Sequence, residues 1–336
     1  RNQMSYIIAI GAYLVLLMIY GLVIAHKKVK TTDDMMTGGH KIPFIILVGS
    51  LLATWCGGGG ITGSAGVVYT GGPWVGALTF AAPPIGIILL YFIAGKVRKS
   101  NKVTVPEIMG ARYGTVASII SALCVMLAYV GVLATQLKAA ANILVLLCSS
   151  SNIEMSHGTA LAICTVIVVI ITVGGGLVSV AYSDAISALI MIGGFFLAIP
   201  ILMHAASTQG AVLSPEKTTL TGGMSGWTIL GYFLPSLALM LGDQNMLQRF
   251  ASAKNSDEAK KSNIGMFIGE LLVIISIIAL VTQAAKLYPS LDTPSNVIFQ
   301  VAVDYLPLVF GALVMCACMA FIVTTADSYL LSSATN

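Results

Sequence analysis

Apolar residues fall along this chain in nine long blocks separated by short polar connections, at residues 4–25, 42–70, 74–95, 116–147, 158–178, 184–204, 226–247, 264–287 and 306–335. A bilayer-spanning helix needs about 20 apolar residues, so each block predicts one transmembrane helix. Two other segments do not read as spans. Residues 103–113, with Pro106 and Glu107, predict a short interfacial helix. Residues 286–307 hold Pro289, Pro294 and Pro307 and predict a loop with one helix between Ser295 and Val303.

The second block is interrupted. After Ala53, Thr54, Trp55 and Cys56 come four consecutive glycines, Gly57 to Gly60, then Thr62 and Gly63. Backbone groups in hydrocarbon must be satisfied internally, so an irregular stretch is tolerated there only where it lines a cavity or is buried in protein. Close helix packing through small residues is the alternative explanation. Four glycines in a row favour a broken helix, whose freed carbonyls can coordinate a cation and whose half-helix ends can face a solute.

Composition agrees with the blocks. The chain is 57% hydrophobic and 9% charged, with a mean hydropathy of +0.94, against about 25% charge in a soluble domain. A single all-helical membrane domain over residues 1–336 is expected, and a soluble enzyme or nucleic-acid binder is not. The net charge of +4 carries topology instead: thirteen of the 17 Lys and Arg lie in the connections 26–41, 96–115 and 248–263. Arg249 is counted among them. The positive-inside rule then places these three connections in the cytoplasm and the N-terminus outside. The six cysteines lie in or at the ends of apolar blocks and read as small buried residues. The chain opens at Arg1 without Met and stops at Asn336 within a helical pattern, so continuation at both ends is expected, with no cleavable leader in view.

Ionisable residues inside spans are expensive and mark function by default. Five qualify: Lys138, Asp184, Asp243, Glu270 and Asp327. Lys138 lies roughly 15 Å along its helix from the outer end and is expected to face the bundle interior, against either a carboxylate or a solute. Asp184 opens its block and reads as an N-cap or first-turn acid. Glu270, one and a half turns into its block, predicts a buried salt bridge or an interfacial position. Asp243 precedes Gln244, Gln248 and Arg249 on a block that Pro235 should kink. In the last block Thr324, Thr325, Asp327 and Ser328 cluster within five positions. Hydroxyls that bond back to a carbonyl one turn earlier explain one or two of these. The remainder are hard oxygen donors suited to a small cation.

At these residues the chain resembles the sodium/solute symporter family. The likeness rests on Ala53-Thr-Trp55-Cys56 with the glycines, Thr104-Val-Pro106-Glu107, Ala111-Arg112-Tyr113-Gly114, Gly174-Gly-Gly176 leading to Tyr182-Ser-Asp184, Asp243-Gln244 with Gln248-Arg249, and Thr324-Thr325-Ala-Asp327-Ser328. It implies an inverted five-plus-five-helix (LeuT-like) fold, with residues 4–25 as an extra leading helix, 42–204 as the first repeat and 226–336 as the first three helices of the second. It implies that Na+ is held by the carbonyls of Ala53, Cys56 and Phe321 and the hydroxyls of Thr324 and Thr325. It further implies a second cation or proton site at Asp184, Asp327 and Ser328, where Asp327 departs from the usual hydroxyl. The solute would lie at the midplane near Trp55, Gly60, Gln136, Asp243 and Gln244. Trp55 stands where proline carriers have an aspartate, which argues against proline. The implied activity is Na+-coupled import of a small polar solute across a plasma or inner membrane, with no covalent chemistry. A sensor domain attached to a histidine kinase is the alternative.

Overall fold

The computed structural model describes residues 3–28, 30, 31, 34, 37–150 and 152–334, so Arg1 and the predicted helix end at Thr335 lie outside the described residues. The described chain is helical: α1 (Gln3–Lys28), α2 (Phe44–Trp55), α3 (Ser64–Gly71), α4 (Pro73–Thr79), α5 (Ala82–Ser100), α6 (Val105–Tyr113), α7 (Thr115–Ser150), α8 (His157–Thr208), α9 (Gly226–Gly242), α10 (Gln244–Ala251), α11 (Ser256–Leu287), α12 (Val297–Asp304) and α13 (Leu308–Ser333). Local chemistry sets several of these ends. Pro43 precedes α2, and Gly72 at φ 89° closes α3 and opens α4 at Pro73. At α6 the Thr104 hydroxyl accepts from the Glu107 N–H while the Glu107 carboxylate accepts from the Thr104 N–H, a complete capping box. The short helices expected near 103–113 and 295–303 are therefore present as α6 and α12.

The expected count of nine spans needs correction. Among the described residues six helices are long and apolar enough to cross a membrane, or seven when the bent pair at Gly59 is one span. The other two blocks fall short in length. The first half of α8 is a shorter apolar helix, His157–Val173. The block 226–247 is cut at Asp243, leaving 17 residues in α9 and eight in α10, below the length a span needs. Pro235 lies inside α9, and the block ends at Asp243 instead of dividing at the proline.

The last helix, α13, is the centre of the bundle. Of its most apolar window 72% is buried, against 11% for α7, and it packs on α8, α7, α1 and α2. A helix that is apolar all round belongs inside a bundle; its polar residues are therefore held inside as well.

The three basic connections meet at one end. His40 Nδ1 lies 2.5 Å from the Ala251 carbonyl, Arg98 Nε donates to the Ala253 carbonyl at 2.6 Å, and Ile42 bridges to Ala253. At the opposite end Tyr6 donates to the Ala302 carbonyl and Tyr69 to the Tyr288 carbonyl. The long axis of the bundle thus has one strongly basic end.

Several single-residue expectations are overturned. Asp184 does not open a helix. The break falls at Gly176 (φ 59°, ψ −172°), eight residues earlier, so Asp184 sits about two turns inside the helix. Lys138 is exposed, on the side of α7 away from the buried Gln136. Glu270 lies deep within α11 and is buried; it accepts from the Cys56 thiol at 3.4 Å and from the Trp55 side chain rather than pairing with a cation. Arg249, counted as a loop charge, is 1% exposed within α10. Cys124 is exposed on α7, unlike the other five cysteines.

Candidate functional site

The glycine run does break the helix, over a shorter stretch than four glycines imply. α2 ends at Trp55, Cys56 and Gly57 leave the helical path, and a π-type turn at Gly59–Gly63 leads into α3, with a bend of 61° across the pair. Two glycines have a packing reason. A Cβ on Gly57 would stand 2.6–2.8 Å from three atoms of the Thr325 side chain, and one on Gly58 would stand 2.8 Å from Gln136 Oε1. The break is therefore the place where two other helices come closest to the backbone. Gln136 uses that approach: its side-chain oxygen accepts from the freed Gly58 N–H at 2.5 Å, satisfying a group that hydrocarbon would leave unpaired. Thr62 donates to the Gly58 carbonyl in the same turn.

α13 closes on the C-terminal end of α2. The Thr325 hydroxyl donates to the Ala53 carbonyl at 3.0 Å, and the Thr324 hydroxyl lies 3.4 Å from the Phe321 carbonyl. Ala53, Cys56, Phe321, Thr324 and Thr325 are all buried. This is an uncharged set of hard oxygens at the negative end of a half-helix, a donor set chemically suited to a monovalent cation.

The neighbouring flank of α13 is charged. Arg249 Nη2 donates to Ser328 Oγ at 2.8 Å, its Nε donates to Ser50 Oγ at 2.9 Å, and the guanidinium is 3.7 Å from Asp184 Oδ2. Ser50 in turn donates to Asp184 at 2.9 Å. Asp184 and Ser328 are thus brought together, with a guanidinium between them. Asp327 shares no hydrogen bond with that cluster, though it lies within electrostatic reach of Asp184 and Arg249. Neither of its carboxylate oxygens makes a hydrogen bond, and the Thr172 hydroxyl facing it is committed to the Val168 carbonyl at 2.9 Å. Beside it a cavity of about 20 Å³, lined also by Ser179, Ser183 and Thr324, has room for roughly one water or ion.

A larger cavity of about 260 Å³ opens at the break. Trp55, Gly60 and Gln136 line it, as expected, together with Phe80, Glu270, Thr325 and Tyr329. Asp243 and Gln244 are outside that lining. Asp243 caps α10 through the Asn245 N–H and accepts from Tyr129 at 2.5 Å and Tyr329 at 2.9 Å. Gln244 accepts from the Val105 N–H and donates to the Ser332 carbonyl. Both hold the joint between α9 and α10 in place. The sequence reading missed Arg249 as a buried partner, Glu270 as a cavity residue, and the tyrosine pair Tyr129–Tyr329, whose rings are 4.6 Å apart. Glu270 did carry a signal, being an acid in an apolar block, but nothing local pointed to the cavity.

The profile of the sodium:solute symporter family matches residues 35–336. The chain belongs to this family. It is 26% identical to the high-affinity choline transporter 1 of Drosophila melanogaster, covering 98% of this chain and 55% of that protein. It is 24% identical to the sodium/pantothenate symporter of Escherichia coli, covering 98% of this chain and 71% of the other. The chain thus spans a little over half the length of the fly transporter. A solved structure of a Na+-coupled sialic acid symporter in its substrate-bound outward-open state superposes with a TM-score of 0.80 over 98% of this chain and 72% of that one, at 17% identity. The two share a fold. Together with the apolar helices, family membership makes this a multi-pass membrane protein.

Proposed function

We propose that the protein is a secondary active symporter that uses the Na+ gradient to import a small polar organic solute by alternating access. The observation that carries this reading is the contact between the Thr325 hydroxyl and the Ala53 carbonyl at the helix break. Na+ bound by the carbonyls of Ala53, Cys56 and Phe321 and the hydroxyls of Thr324 and Thr325 would join α2 to α13. In doing so it would fix the break that forms one wall of the solute cavity, so each ligand raises the affinity of the other.

The division into repeats 42–204 and 226–336 is supported by the direction of the two interrupted helices. α2 starts near the basic end, where Ile42 meets Ala253. α9 starts at the opposite end, where Gly222 lies against Gly71, and its continuation α10 finishes at Ala251 by the basic end. The first helix of each repeat is broken and the two run oppositely, as an inverted repeat requires. On the same reading the basic end is cytoplasmic and the N-terminus is outside. A second cation or proton site at Asp184, Asp327 and Ser328 takes a narrower form in this geometry. Arg249 already supplies positive charge to Asp184, so a second cation belongs with Asp327 and Thr324.

Uptake by the full chain across a panel of radiolabelled solutes, with and without Na+, tests the reading. Thr324→Ala and Thr325→Ala should each raise the Na+ concentration for half-maximal uptake by about tenfold, equivalent to one lost charge-assisted contact of roughly 1.5 kcal/mol. Unchanged Na+ dependence in both variants would remove the ion site.

A further inference from the structure

Among the described residues four carboxylates are buried in the apolar bundle, and three of them lie away from the large cavity. Asp184 has the Arg249 guanidinium, Asp243 has two phenols and a backbone amide, and Asp327 borders a cavity of ion size. Glu270 differs from these. It is 3% exposed, yet it sits on the wall of the 260 Å³ cavity. Its hydrogen-bond partners there are neutral, the Cys56 thiol at 3.4 Å and the Trp55 side chain, and neither balances the charge of a buried carboxylate. The rings of Trp55, Phe80 and Tyr329 line the same cavity. A buried acid without a cation, in a cavity that aromatic rings also line, is a donor set that an ammonium group completes through charge and π-electron density.

We infer that Glu270 is the counter-charge for the transported solute, which is therefore a small organic cation bearing an ammonium group. The inference rests on the symport reading, because it assigns the solute class of the same cavity. The volume limits the size, since drug-sized ligands take roughly 300–1,000 Å³ and this cavity has about 260 Å³. An anionic solute would face Glu270 with like charge, and a neutral one would leave its charge without a counter-ion. A competing role exists for the residue: through Cys56 it stands beside the backbone proposed to hold Na+, and it could serve the ion instead.

Ligand-induced thermal stabilisation and isothermal titration on the full purified chain separate these roles. The probes are choline and ethanolamine as cations, dimethylbutanol as the neutral carbon isostere of choline, and glycolate as an anion, each with and without saturating Na+. The expected result is Na+-dependent binding of a cationic probe, weakened about thirtyfold or more by Glu270→Gln and less by Glu270→Asp. Na+-induced stabilisation should be retained in both variants, which also shows that they fold. Equal binding of dimethylbutanol and choline would overturn the inference. So would a Glu270→Gln variant that loses Na+ stabilisation while keeping its preference among probes, or Na+ stabilisation of the wild-type chain with neither ammonium probe bound. A wild-type chain that does not respond to Na+ at all would instead overturn the symport reading beneath it.

Discussion

Two flanks of α13 offer oxygen atoms to the rest of the bundle, and they differ in charge. Thr325 meets the α2 break with its hydroxyl on the Ala53 carbonyl, while Thr324 beside it also reaches Asp184. The Ser328 flank meets a full guanidinium and a carboxylate, all buried. In a medium of low dielectric that difference decides what each can do. Paired charges are held strongly and are costly to separate; dipoles hold a small cation more loosely and can release it. The charged flank therefore suits a permanent joint linking α2, α8, α10 and α13. The uncharged one suits an ion that comes and goes.

The largest effect should come from breaking the joint. Arg249→Ala leaves Asp184 buried without its cation, and removing one partner of such a pair typically costs about 3–5 kcal/mol. Thermal unfolding of the purified chain should show it as a large fall in Tm. Adding Asp184→Asn to Arg249→Gln should recover stability beyond the sum of the single changes, because the two side chains share one network. Simple additivity would mean that the pair is not the joint.

The next effect sharpens the contrast at the other flank. Gly57→Ala places a Cβ within 2.8 Å of the Thr325 side chain, and overpacking of this kind typically costs about 1–3 kcal/mol. Thr325 would be displaced from the Ala53 carbonyl, so Na+ affinity should fall by about tenfold or more. Gly59 has nothing within 4 Å of the equivalent position, so Gly59→Ala should leave Na+ affinity unchanged. Thr325→Ser keeps the hydroxyl and should retain most of the Na+ response that Thr325→Ala loses. These comparisons need only Na+ titrations of uptake or thermal stability. Equal losses at Gly57 and Gly59 would show that the run matters as flexible chain rather than as a close approach.

How much of this was readable from residue order depended on whether a signal was local. The break was legible because four glycines have no ordinary place in an apolar block. The hydroxyl cluster of α13 was legible because its density exceeds what back-bonding explains. Partners distant in sequence were not. Arg249 is a basic residue at the end of a block, and only tertiary packing shows that α10 folds inward to Ser50 and Asp184. Asp184 reads as a helix start because it opens an apolar block, whereas the chain breaks at Gly176. The orientation of Lys138 was in principle derivable. Positions two apart on a helix point to different sides, so a Gln136 that faces the break turns Lys138 outward. The count of nine spans failed on length, since no hydropathy pattern shows that Asp243 would divide its block.

The smallest effect should come from a polar group that belongs to neither flank. Thr104 caps α6 with a full capping box, and the adjacent Val105 N–H reaches Gln244 and through it Ser332 of α13. Thr104→Ala removes one acceptor at the helix start, worth about 1 kcal/mol, and leaves the oxygens near Ala53 untouched. The expected outcome is a Tm lowered by a few degrees, restored by Thr104→Ser, with the Na+ dependence of uptake unchanged. If Thr104→Ala did shift the Na+ dependence, α6 would be coupled to the ion site through Gln244 and Ser332. The separation between a fixed joint and an exchangeable site along α13 would then be too sharply drawn.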